Sequence, residues 1–246
     1  MRIPLLAANW KMNGSLPAVS EYCGALEIAS GVEVVLAPPA VYLQAMCAAA
    51  PAGAAVAAQD IGVAASGAHT GDIAAEMVFE LGGRWAIVGH SERRLDHGEA
   101  DDLVATKAAS ALRGGLRPII CVGETLAERE AGHEIAVVER QLEAVVDRID
   151  ADALRDAAIG YEPVWAIGTG ETATPAQAQE MHAFIRAKIA DVSVAASEAI
   201  RIVYGGSVKP DNAAELMAEE DIDGGLVGGA SLDAAQFSAI IAAAGS

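Results

Sequence analysis

Short runs of β-branched and other apolar residues, each ending in a polar or glycine cluster, alternate along the chain with longer stretches whose apolar positions recur at helical spacing. Each such couple reads as a βα unit. The runs predict strands at 3–9, 32–37, 54–59, 85–89, 118–122, 157–162, 200–204 and 225–227, and the stretches between them predict helices that include 100–112, 135–148, 176–189, 212–219 and 233–243. Helix starts are signalled at Thr174-Pro175 and at Lys209-Pro210-Asp211. The strand runs are nearly continuous in apolar character, which implies burial on both faces and hence a parallel sheet covered by helices. No linker, low-complexity block or composition shift divides the chain, and the repeat is too loose for a solenoid. Eight βα units in 246 residues predict an α/β protein folded as one (β/α)8 barrel domain over residues 1–246. About 250 residues is usual for that architecture, whereas an open doubly wound sheet stops at fewer strands.

Composition agrees with a folded core and removes several function classes. Hydrophobic residues make up 53% and charged residues 20%, enough apolar surface to offset the ordering entropy of the chain. The 34 acidic against 16 basic residues give a net charge of -18, the wrong sign for nucleic acid or an anionic membrane surface. Cys23, Cys47 and Cys121 are scattered and odd in number, which points to neither a disulfide framework nor a zinc site and suits a reducing compartment. The start, Met1-Arg2-Ile3-Pro4, runs straight into strand-like sequence without the parts of a signal peptide, so a cytoplasmic protein is expected. Mean hydropathy is +0.32, and residues 34–59 carry no Asp, Glu, Lys or Arg. Pro38-Pro39 and Pro51-Ala52-Gly53 nevertheless cut that run into a strand, a short helix and a strand, each too short to span a bilayer.

In a barrel of this kind the residues just after the strands build the site. Here they are Asn9-Trp10-Lys11, Gly89-His90-Ser91-Glu92-Arg93, Gly123-Glu124, Glu162-Pro163-Val164-Trp165, Gly205-Gly206-Ser207 and Gly228-Gly229. One glycine pair alone is an ordinary tight turn; two pairs after the last two strands point to a phosphate cradle of backbone amides. Pro163 holds Glu162 extended and stops the strand with a carboxylate at the barrel mouth, a placement that suits a general base. Ser91 predicts a cap for a short helix whose positive end favours a neutral His90, able to donate a hydrogen bond to a carbonyl oxygen. Lys11 is the lone lysine at a strand end. A base, a neutral donor, a cation and a phosphate cradle suffice to move a proton between carbons beside a carbonyl through an enediolate, with no metal and no cofactor required.

Other chemistries fit less well. His69, His97, His133 and His182 read as loop or helix residues, without H-x-H or H-E-x-x-H spacing. Residues 168–173 match G-x-G-x-x-A with Asp191 beyond. The strand has already ended at Pro163, however, and the helix starts after the glycines, so the strand-to-helix turn of a dinucleotide site is missing. Residues 163–170 read instead as a lid with apolar Val164, Trp165, Ala166 and Ile167 between a proline and two glycines.

Seven motifs occur in order: Ala8-Asn9-Trp10-Lys11-Met12-Asn13, Ser66-Gly67-Ala68-His69-Thr70-Gly71, Val88-Gly89-His90-Ser91-Glu92-Arg93-Arg94, Cys121-Val122-Gly123-Glu124-Thr125, the run from Gly160 to Gly170 through Glu162, Tyr204-Gly205-Gly206-Ser207-Val208, and Leu226-Val227-Gly228-Gly229-Ala230-Ser231-Leu232. Together they span essentially the whole chain, which closely resembles the triosephosphate isomerase family and its TIM barrel. The resemblance implies interconversion of dihydroxyacetone phosphate and D-glyceraldehyde 3-phosphate in glycolysis and gluconeogenesis. It assigns Glu162 as the proton shuttle, His90 as the electrophile and Lys11 as the cation. Asn9 and Lys11 would place substrate oxygens, Gly168, Gly228, Gly229 and Ser207 would hold the phosphate, and Glu92 would support them from behind. It also implies a cofactor-free homodimer joined through residues 59–70, with no nucleic-acid or membrane partner. Asp60 departs from the family pattern, standing where many members carry Asn. Three alternatives remain open: an isomerase of a four-carbon sugar phosphate, a Schiff-base aldolase using Lys11, and a barrel that binds sugar phosphates without turnover.

Overall fold

A computed structural model describes residues 2–167 and 173–245. Eight parallel strands, β1 (Leu5–Asn9), β2 (Glu33–Ala37), β3 (Ala54–Ala58), β4 (Trp85–Val88), β5 (Arg117–Val122), β6 (Ala158–Tyr161), β7 (Arg201–Tyr204) and β8 (Gly224–Val227), close in sequence order. β8 returns to β1 with Leu226 beside Ala7, so the sheet has no free edge. Every predicted strand is present, with ends displaced by a residue or two, as expected where element ends fray. The uncharged run at 34–59 folds as β2, the short helix Leu43–Ala49 and β3, and no helix is long and apolar enough to cross a membrane among the described residues.

Alternation along each strand divides the apolar residues into two layers. Leu5, Ala7, Val35, Ile87, Ile119, Cys121, Val203 and Leu226 fill the barrel interior, while Leu6, Ala8, Val34, Val88, Ile120, Tyr161 and Tyr204 face outward against the helices. The same parity extended past the strand ends places Asn9, Glu162, Gly205 and Gly228 on the inward side, above the packed interior. At the opposite end Glu33 accepts from Arg117 at 2.8 Å and forms an ion pair with Arg201 at 3.1 Å. Both guanidinium groups lie over the Trp85 ring, at 4.2 and 5.8 Å, closing the barrel floor. Helix starts follow local chemistry: Thr174 and Gln177 form a capping box with Pro175 in the first turn. The start expected at Lys209-Pro210-Asp211 falls slightly later. Asn212 occupies the cap of Ala213–Met217 and its side chain accepts from the Lys209 amide at 2.8 Å.

Candidate active site

At the C-terminal mouth of the barrel a cavity of about 370 Å3 is lined by Asn9, Lys11, His90, Ser207, Gly228 and Gly229, together with Ala166, Ile167 and Leu226. The structure therefore brings together the expected cation, imidazole and glycine-rich turns around one space. Gly168 lies outside the described residues, as do the glycines at the far end of the expected lid.

Lys11 is held before any ligand arrives. Its φ of +50° is the one left-handed value outside glycine among the described residues, a conformation that costs about 1–3 kcal/mol. Two side chains fix it: Asn9 Oδ1 accepts from the Lys11 amide at 3.0 Å, and Gln59 Nε2 donates to the Lys11 carbonyl at 2.8 Å. The ammonium reaches Glu92 Oε1 at 2.6 Å. Asn9 thus braces the backbone of the cation, and Glu92 holds its charged end.

His90 itself, rather than Ser91, caps the helix Ser91–His97: Nδ1 accepts from the Glu92 amide at 3.2 Å. That is a correction to the expected Ser91 cap, and its cause is the backbone of His90, which stays extended while the imidazole folds back over the helix end. The bond fixes the tautomer, because a ring nitrogen that accepts an amide proton carries none, which leaves the neutral ring's proton on Nε2. Ser91 contributes its backbone amide instead, donating to Glu162 Oε2 at 2.8 Å.

Glu162 is buried, and its other oxygen, Oε1, lies 2.9 Å from His90 Nε2, without a well-aligned hydrogen bond among the described residues. The carboxylate does not line the cavity; it rests behind His90. Two glycines make its room. A Cβ on Gly205 would sit 2.8 Å from Glu162 Cγ, and one on Gly123 would sit 1.8 Å from the Glu162 carbonyl oxygen. In this arrangement burial opposes protonation of His90 most strongly, but the Glu162 charge and contact, with Glu92, outweigh burial and the opposing Lys11 charge. The His90 pKa is therefore raised above the ordinary histidine value, and moving Glu162 away removes the main influence that raises it.

Glu124, wholly buried after β5, was not assigned a role by sequence reasoning. It accepts from Arg129 at 2.9 Å, from the Tyr161 hydroxyl at 3.1 and 3.2 Å and from the Trp165 indole at 2.8 Å, tying the segment after Glu162 to β5. Cys121 is a packed interior thiol, its pKa driven well above the usual value chiefly by burial, with the Glu162 charge adding to it.

Comparison with known proteins decides the family. The family model for triosephosphate isomerase matches residues 4–244. The chain belongs to the triosephosphate isomerase family. A triosephosphate isomerase of Dechloromonas aromatica is 51% identical over 248 residues, covering 99% of this chain and 100% of the relative. Those of Thiobacillus denitrificans and Stenotrophomonas maltophilia are 52% and 49% identical, each over 99% of both chains. Membership of the triosephosphate isomerase family agrees with the closed eight-stranded parallel barrel.

Proposed function

We propose that this protein interconverts dihydroxyacetone phosphate and D-glyceraldehyde 3-phosphate by proton transfer through an enediolate, serving glycolysis and gluconeogenesis in the cytoplasm. The observation that carries this reading is the buried Glu162 carboxylate, parked on the Ser91 amide behind His90, which lines one cavity together with Lys11. Substrate phosphate sits on the amides of Gly228 and Gly229 and beside Ser207, a cradle that needs no side-chain charge. Lys11 supplies positive charge to the substrate, and Asn9 keeps its backbone in place. Glu162 rotates from Ser91 onto the substrate and removes the proton from the hydroxyl-bearing carbon. His90 Nε2 donates to the carbonyl oxygen where negative charge develops. The same carboxylate returns the proton to the adjacent carbon, so no atom is gained or lost.

The cavity falls near the lower end of the about 300–1,000 Å3 common for small-molecule sites, which suits a three-carbon phosphate. A second copy of the chain is part of the reading. Met12, next to Lys11, is 96% exposed and Val41 is 80% exposed, and their two loops adjoin where Gly14 meets the Tyr42 ring. Uncovered apolar side chains beside the site favour a homodimer contact there. The whole chain then works as one domain.

Isomerisation in deuterated water tests the mechanism. An enediolate route incorporates solvent deuterium into product, and product free of deuterium would replace it with internal hydride transfer. Turnover on a four-carbon sugar phosphate that matches the three-carbon rate would move the substrate assignment.

A further inference from the structure

His182 has no part in the chemistry just described, yet it is wholly buried, on the helix Pro175–Val192 that packs outside β6 and β7. Its ring stands edge-on to Tyr161, with centroids 5.7 Å apart at 89°, and tilted against Tyr204 at 6.3 Å and 40°. Nδ1 lies 3.2 Å from the Asp221 carbonyl oxygen, the Ile202 backbone also bears on the ring, and among the described residues Nε2 has no well-aligned hydrogen-bond partner. With Nδ1 as the donor to that carbonyl, the ring is fixed in plane, and Nε2 is left facing a largely apolar space. An apolar side chain would fill that space with no unmet acceptor. The geometry of the two tyrosines is what the imidazole adds.

Those tyrosines are the residues immediately before Glu162 and Gly205. They are register partners at the ends of β6 and β7, and the Gly205 amide donates to the Tyr161 carbonyl at 2.7 Å. Gly205 in turn presses on Glu162 Cγ closely enough that a Cβ there would stand 2.8 Å away. Tyr161 also donates to Glu124, which holds the Trp165 indole on the far side of Glu162. Outward and inward residues alternate, so a rotation of Tyr161 or Tyr204 into space vacated on the outside turns Glu162 or Gly205 on the inside.

We infer that His182 is a positioning residue for the Glu162 carboxylate, acting as a wedge that fixes Tyr161 and Tyr204 behind the barrel wall. This rests on Glu162 being the base. A displacement of a few tenths of an ångström at the base is felt in catalysis, since misplacement by about 1 Å costs about 100-fold. The effect falls first on proton transfer, through Glu162, and leaves the Gly228-Gly229 amides of the phosphate cradle, on the β8 turn, in place.

The test compares wild type, His182→Asn and His182→Phe on triose phosphate carrying hydrogen or deuterium at the reacting carbon. Asn keeps a donor for Asp221 and removes the ring; Phe keeps a ring edge and removes the donor. For His182→Asn, kcat is expected to fall about tenfold, KM to stay within about threefold, and the primary isotope effect on kcat to rise above the wild-type value. His182→Phe is expected within about threefold of wild type. A purely structural loss lowers yield and melting temperature without touching the isotope effect, so a wild-type isotope effect in folded His182→Asn overturns the inference. If His182→Asn does not fold, His182→Leu, which fills the space without a ring, is expected to show the same rise, and an unchanged isotope effect there overturns it equally. Glu162→Asp measured alongside separates the two claims: normal turnover in that variant removes the base assignment, whereas normal proton transfer in the His182 variants removes only the wedge.

Discussion

Burial of His182 makes the fold sensitive to acid in a way that can be worked out in advance. Desolvation pushes its pKa down from 6.5 to about 4, with the nearby Arg186 charge in the same direction and the Asp221 carbonyl and carboxylate opposing. In the unfolded chain the same ring titrates near 6.5. Below that pH the unfolded state binds a proton that the native state refuses. The stability is therefore present above 6.5, is lost as pH falls, and stops falling once the native ring titrates near 4. The full gap is worth about 3 kcal/mol at about 1.4 kcal/mol per pH unit, and about 2 kcal/mol of it is lost between pH 7 and pH 5. His90 acts the other way: its raised pKa adds stability as pH falls towards 6.5 and contributes a constant below it. Urea unfolding of wild type and His182→Leu at several pH values from 7 to 5, at one protein concentration so that any dimer linkage cancels, gives both slopes. Wild type should lose about 2 kcal/mol more than the variant over that range. Parallel slopes would show that His182 is protonated in the native state, and the neutral wedge would be wrong.

Other consequences of the geometry are open to direct measurement. Gly205→Ala places a methyl 2.8 Å from Glu162 Cγ and 3.1 Å from the Tyr161 carbonyl; kcat should drop about tenfold or more with the barrel still folded, and an undisplaced Glu162 in its crystal structure would contradict this. The imidazole of free wild-type enzyme, followed by nitrogen NMR, should titrate above the ordinary histidine range, and Glu162→Gln should bring His90 down; equal values in both would show that Glu162 is not the cause. With a net charge of -18, the long-range field repels a phosphate dianion, so kcat/KM should rise as salt increases from about 10 to 100 mM and the screening length shrinks from about 30 to 10 Å. A rate that falls over that range, after correction for ion competition at the phosphate site, would mean that local positive charge steers the substrate.

The strands, their order and the mouth of the barrel were legible because each depends on short-range pattern. Each apolar run, the Glu162-Pro163 stop and each glycine pair is contained within a few consecutive residues. What escaped depends on contacts between distant parts of the chain. Glu124 gathers Arg129, Tyr161 and Trp165, and no spacing along the sequence brings those groups to one carboxylate. The cap was misassigned because Ser91 is the better capper by residue type, whereas the extended backbone at His90 and the fold-back of its ring decide the matter. His182 carried a signal that was available: it falls on the stripe of Ala178, Met181, Ile185 and Ile189 that the helix buries, so a polar residue there had to be either satisfied or put to use. The resting place of Glu162, on the Ser91 amide and away from the cavity, is a side-chain rotamer and leaves no trace in the pattern.

The central claim is that Glu162 moves the proton, and shortening its side chain by one methylene tests it most directly. Glyceraldehyde 3-phosphate isomerisation, coupled to a dehydrogenase, should be fast for wild type and about 100-fold or more slower in kcat for Glu162→Asp, with KM changed far less, because the carboxylate is withdrawn by about 1 Å while the phosphate cradle is untouched. Near-normal kcat in Glu162→Asp would contradict the account.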